Sequence, residues 1–243
     1  MLSQMPIPES AVFHEAGSLY LPHEGLLPSV LPTPHTSGIT ATLGALAGAK
    51  TWEVSDLAQP SEARRAAEAL IQARYQSIHG AIVARCMPQL YSIREADQAI
   101  AGAVGIRCLE ESDGLLEQYL DAPIETILSD LGNTAVSRED IIEVGNLAAL
   151  NIPVAVLLIA FLFDEASRLN RSHAVFTGTH ALRLALRRAK VSHHIIQAAD
   201  PERLGTEKTN WGRYYECDPQ VMLVDVVEGL AQIKAHFWIQ RTE

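Results

Sequence analysis

Two regimes of hydrophobic patterning divide the chain. Up to about residue 50 no helical or strand period is sustained, and six of the twelve prolines lie within the first 34 residues (Pro6, Pro8, Pro22, Pro28, Pro32, Pro34). That composition predicts an irregular arm over 1–50, followed by one domain over 51–243. From Ser61 the pattern turns regular. SEARRAAEALIQARYQSIHG reads as a helix, with Ser61 as its cap and Ala66, Leu70, Ala73 and Ser77 along one face. Residues 89–94 and 99–108 read as strands around a polar EADQ turn, although Gly102 and Gly105 weaken the second.

Residues 115–121 and 123–132 predict two short helices, the second opened by Pro123 and closed by Gly132–Asn133. The apolar run IIEVGNLAAL (141–150) reads as a strand that delivers the chain into a nearly all-apolar helix from Pro153. Short strands follow at 173–177, 194–199 and 221–227. They alternate with a basic amphipathic helix at 180–190 and a final helix through Phe237. Strand–helix–strand order after residue 140 implies a parallel crossover, and the earlier strands imply antiparallel pairing. The expected fold class is α/β, a mixed central sheet with helices on both faces.

Glu143 stands out within this pattern. A carboxylate inside an apolar strand must be paired, hydrogen-bonded or pKa-shifted, and general bases occur in such places. A core carboxylate that only caps or pairs fits the same pattern.

Composition narrows the classes. With 48% hydrophobic and 20% charged residues the chain is an ordinary globular one, and a net charge of −10 argues against nonspecific binding to nucleic acid or anionic membranes. Three cysteines (Cys86, Cys108, Cys217), odd in number and without metal spacing, suit reduced thiols in a cytoplasm. The N-terminus lacks a signal-peptide pattern, and the apolar run 152–163 is shorter than the roughly 20 residues of a membrane span. No stable membrane insertion is expected. The scattered His14, His23 and His35 and the adjacent His193–His194 lack ligand spacing, so no metal is assigned.

Several motifs taken together resemble the thermostable hemolysin family, related to the GNAT acyltransferases and to acyl-homoserine-lactone synthases. They are LEQYLDAPIE (116–125), Arg138 with IIEVGNLAA (141–149), VFTGTHALR (175–183), AADPERL (198–204) and WGRYYECDPQV (211–221), in the family's order over roughly residues 70–227. The resemblance implies a GNAT-like fold. It also implies N-acyl transfer from an acyl-coenzyme A or acyl-carrier-protein thioester, used as co-substrate, to a small amine or amino-acid-like acceptor. No permanently bound cofactor is implied.

Such transfer needs a base, oxyanion donors and an acid for the departing thiolate. Glu143 is the candidate base, and Asn146 could orient the acceptor or polarise the carbonyl. Gly145 would permit a bulge where GNAT strands splay. Tyr214 and Tyr215 are candidate acids, and Trp211 a candidate wall of an acyl tunnel, although all three also read as core aromatics. Glu117, Gln118 and Tyr119 stand in a segment that borders the acceptor site in related enzymes, and Arg138 could hold a substrate carboxylate. Cys217 has no base partner nearby in sequence and reads as an uncommitted thiol.

Two departures from the GNAT pattern matter. The pyrophosphate-binding glycine turn is replaced by Ala148-Ala149-Leu150-Asn151-Ile152-Pro153-Val154, which has no glycine and one N–H fewer. A carrier-protein donor, or an inactive or repurposed scaffold, would account for that. The tyrosine acid and terminal glycine of the following helix align with Leu186 and Lys190. Arg183, Arg187 and Arg188 there could meet a phosphopantetheine donor or an acidic carrier protein, or form a solvated face. Two readings compete with the acyltransferase: a non-catalytic scaffold that binds an acyl carrier or protein partner, and a lytic protein, which the acidic charge disfavours.

Overall fold

The computed structural model describes residues 39–46 and 50–242. Its strands are β1 (Ile39–Ala45), β2 (Trp52–Asp56), β3 (Gln89–Glu95), β4 (Gly102–Cys108), β5 (Ile141–Ala149), β6 (His173–Gly178), β7 (His194–Ala198), β8 (Gln220–Asp225) and β9 (Phe237–Arg241). The helices are α1 (Glu62–His79), α2 (Ile124–Gly132), α3 (Ile152–Arg168), α4 (His180–Arg188) and α5 (Val226–Lys234), with 3-10 turns at Leu115–Tyr119, Arg138–Asp140, Pro201–Trp211 and Tyr214–Cys217. One sheet runs β7-β8-β6-β5-β4-β3-β2-β1-β9. Among the described strands only β5 and β6 pair in parallel, joined through α3, and the other neighbours are antiparallel.

Local chemistry explains the helix ends. The Ser61 hydroxyl accepts the Arg64 N–H at 3.0 Å, and Gly80, at φ +68°, closes α1 by donating to Gln76 and Tyr75 carbonyls. Asn151 caps α3 by accepting the Val154 N–H at 3.0 Å. Along α1 the buried residues are Ala63, Ala67, Leu70, Ile71 and Arg74, a face rotated from the expected Ala66–Ser77 row. The helix has small residues on several sides, so its period alone did not fix which side packs.

Helices cover both faces of the sheet. α3, α4 and α5 pack on one face around Val104, Ile142, Phe176 and Met222. α1 covers Leu90, Ala103 and Ala148 on the other, and α2 covers Ile141, Val175 and Val221 beside it. α3 is buried almost all round, as its continuous apolar sequence requires.

Three expectations need correction. The arm drawn to residue 50 contains β1, whose Ala41–Ala45 pair with β9 and whose Leu43 is fully buried; residues 1–38 lie outside the described part. The final helix stops at Lys234, and Phe237–Arg241 forms β9 instead. The helix expected over 115–121 is a 3-10 turn.

Candidate functional site

The site begins where two parallel strands part. β5 and β6 stay in register from Ile141–His173 to Val144–Phe176 and pair no further. On its other side β5 carries a bulge: Gly105 faces Gly145 while Ala103 faces Ala148, one extra residue on β5. The left-handed residue at that bulge is Asn146, at φ +54°, rather than Gly145. Gly145 answers a steric demand, since a Cβ there would stand 2.4 Å from Met87 Cε.

A cavity of about 610 Å³ fills the opening. Its apolar depth is made by Ala155, Ile159 and Leu162 of α3, Phe176 of β6, and Ala185 and Leu186 of α4. Polar groups line the remainder: Asn146 and Thr177 from the strands, Arg74 and His79 from α1, and Arg213, Tyr214 and Cys217 from the segment before β8. Thr177 Oγ1 is buried and has no hydrogen-bond partner among the described residues.

The wall near α1 is aromatic. Tyr75 stacks on Tyr214 with ring centroids 6.4 Å apart, and His79 meets Tyr214 edge-on at 5.2 Å. Burial pushes the Tyr214 phenol well above its ordinary pKa, and its hydroxyl donates to the Thr177 carbonyl at 3.3 Å. A phenol held so high is a poor acid toward a thiolate. Trp211 packs behind, 5.1 Å from the Tyr214 ring, and does not itself line the cavity. Burial, then Arg213, pulls His79 below its usual pKa, so its imidazole is neutral near pH 7.

Glu143 lies outside the cavity lining. It is 3% exposed, and its two carboxylate oxygens accept the N–H groups of Leu115 and Leu116 at 2.9 and 2.8 Å. Arg107 stands 3.7 Å away. Burial raises the Glu143 pKa against those donors. The carboxylate therefore clamps the turn at 114–116 onto β5, which places the expected base one strand position short of the opening.

The expected acceptor residues form a closed network of their own. Arg138 donates to Glu117 Oε1 and Oε2 at 2.8 and 3.0 Å and to Glu125 at 2.7 Å. Burial opposes ionisation of Glu117, yet Arg138 and the Ile124 and Gly114 N–H groups outweigh it and hold the pKa at about 2. Gln118 is exposed and donates to the Leu115 carbonyl, while the Tyr119 and Tyr215 hydroxyls bond each other at 2.7 Å. None of these residues lines the cavity.

Arg183 is likewise committed. It is 7% exposed and donates to the Asp218 carboxylate at 2.5 Å and the Asp218 carbonyl at 2.8 Å, which secures the chain after Cys217. Arg187 and Arg188 are exposed on the last turn of α4. The start of α3 suits phosphate poorly, because Pro153 has no N–H and Asn151 already takes that of Val154.

The structure thus brings Asn146 and Tyr214 together and adds His79, Tyr75, Thr177 and Cys217, which no sequence signal had grouped. Cys217 Sγ lies 3.7 Å from His79 Nδ1 across 138 residues of sequence. No group of three or more candidate metal ligands occurs among the described residues, and no helix among them is long and apolar enough to cross a membrane.

A parallel strand pair that splays where β5 bulges against its antiparallel neighbour β4, with helix α3 leading out of β5, defines the GNAT-like acyltransferase fold. Residues 57–230 match the thermostable hemolysin family, and the chain belongs to that family. Among curated proteins none matches. Among solved structures it is similar to the AHL synthase LasI, at 10% identity and a TM-score of 0.50, covering 84% of this chain and all of that one. It is also similar to FeeM, an N-acyl amino acid synthase from uncultured soil microbes, at 12% identity and a TM-score of 0.50, covering 74% of this chain and 93% of that one. At such identities the likeness is one of fold.

Proposed function

We propose that the protein is an acyltransferase that seats the acyl chain of a thioester between β5 and β6 and passes it to a small amine or amino-acid-like acceptor. The observation that carries this reading is the cavity itself, apolar in depth and polar at the unpaired strand edge. An acyl chain fits the apolar end, and its carbonyl would meet the bulge, where β5 has no β6 partner for its backbone groups.

His79 supports the base role better than Glu143, because its neutral imidazole is on the cavity wall. The start of α3 offers little to a pyrophosphate, which favours a donor recognised through a carrier protein over one recognised through coenzyme A. Exposed Arg187 and Arg188 suit an acidic carrier. The names of LasI and FeeM, synthases of acylated small molecules, agree with an acylated amine as product.

Incubation with octanoyl-coenzyme A and octanoyl-acyl carrier protein over a pool of amino acids and amines tests this by mass spectrometry. A new amide formed only with active protein is expected. Failure of every donor, with the cavity shown to bind acyl chains, would instead assign the protein to the binding scaffolds.

A further inference from the structure

The last residue of α1 and the turn at Tyr214–Cys217 meet at the cavity wall, and the backbone fixes their meeting. The Arg213 N–H donates to the His79 carbonyl at 2.7 Å. A Cβ on Gly212 would stand 2.2 Å from that carbonyl oxygen, and Gly212 is at φ +51°, so only glycine permits the approach. The imidazole is held edge-on against Tyr214, with Nδ1 3.7 Å from Cys217 Sγ. Both side chains line the cavity and neither is fully buried. The buried Thr177 hydroxyl on the same lining, without a partner among the described residues, is satisfied once a ligand supplies a polar atom.

We propose that Cys217 is the acyl-accepting nucleophile, activated by His79, so that transfer runs through an S-acyl-cysteine. This deepens the acyltransferase reading and rests on it. In the first half-reaction His79 Nδ1 takes the Cys217 S–H proton as sulfur attacks the thioester carbonyl. The donor C–S bond breaks, and the departing thiolate takes the proton from the imidazolium. In the second, the acceptor amine attacks the S-acyl group, the new C–N bond replaces the C–S bond to Cys217, and the nitrogen's proton passes through His79 to the cysteine sulfur. One thioester is exchanged for another in the first half, so no further reactant is needed. Burial lowers the imidazole and raises the thiol, so the resting pair is neutral and the proton moves as the carbonyl is attacked.

The test uses the full chain with octanoyl-coenzyme A or octanoyl-acyl carrier protein and no amine, read by intact mass. One octanoyl adduct, mapped to Cys217, released by hydroxylamine and absent from Cys217→Ala, is expected. His79→Asn should form it about 10²–10⁴-fold more slowly. A second measurement is independent of acyl transfer: His79 takes the Cys217 proton during alkylation as well, so iodoacetamide labelling of Cys217 at neutral pH should slow about 10-fold in His79→Asn, with Cys86 and Cys108 as internal controls. Amide synthesis undiminished in Cys217→Ala overturns the dyad and leaves the acyltransferase standing. Labelling of Cys217 indifferent to His79, with no adduct, overturns the dyad whether or not amide is made. Labelling that depends on His79, with neither adduct nor amide, overturns the acyltransferase reading and this acylation step with it.

Discussion

Asn146 Oδ1 accepts the Met87 N–H at 2.7 Å and so ties the left-handed residue of the β5 bulge to the chain between α1 and β3. This hydrogen bond fastens the bulge, beside the open strand edge, to the segment that leads into β3. Asn tolerates positive φ better than most residues, which lets it serve as both hinge and acceptor.

Two substitutions separate those roles. Asn146→Gly keeps the conformation and loses the hydrogen bond; Asn146→Ala loses both. Urea unfolding should show Ala costing about 1–3 kcal/mol and Gly about 1 kcal/mol less than that. Equal losses would mean that the backbone conformation contributes nothing.

Glu143→Gln should lower stability by about 1–3 kcal/mol, because the amide offers one acceptor oxygen and turns an N–H donor toward Leu115 or Leu116. A drop in activity alone would therefore not identify a base. If the variant keeps the wild-type unfolding midpoint while turnover falls, the clamp assignment is wrong and the base role returns.

The Glu117–Arg138 pair sets an acid limit. Glu117 is held at about 2 in the folded chain, below its usual value of roughly 4.3 when unfolded. Its contribution is present above the unfolded pKa and is lost as pH falls from about 5 towards 2, with a size near 2 kcal/mol after allowing for solvent screening. Stability curves of Arg138→Met against pH should be flatter over that interval than those of the wild type.

Arg187 and Arg188 offer a test of donor type. Reversing both to Glu should raise KM for an acyl-carrier-protein donor about 10-fold or more at low salt and leave a small pantetheine thioester unaffected. An equal effect on both donors would point to the fold of α4 rather than to docking.

Much of the fold was legible where the hydrophobic period was long or the caps were explicit. α3 followed from an unbroken apolar run behind Asn151, and β5 from its apolar flanks. β9 escaped because FWIQR is short and its partner β1 lies about two hundred residues earlier, with Ala41 opposite Arg241. β1 itself, ITATLGA, has β-branched residues only in its first half and ends in Gly44–Ala45, so its strand signal covers too few residues to stand out behind the proline-rich stretch. The site was half legible. Asn146 stands out as a polar group in an apolar run and Tyr214 as part of an aromatic cluster, and both line the cavity, whereas His79 ends an ordinary helix and acquires meaning only beside Cys217. Arg138 and Arg183 looked available for substrates because sequence does not show that Glu117, Glu125 and Asp218 already hold them.

Whether the opening between β5 and β6 seats an acyl chain is decided by calorimetric titration of S-octyl-pantetheine, a thioether that cannot react, into wild type and Ala185→Phe. Ala185 is fully buried in the apolar end of the cavity, and a phenyl ring there occupies space needed by several methylenes. Binding by the wild type with a negative heat-capacity change is expected, and a loss of about 10–100-fold in the variant, given roughly 0.8 kcal/mol per displaced methylene. No binding by the wild type, or equal binding by both proteins, would mean that the acyl group goes elsewhere.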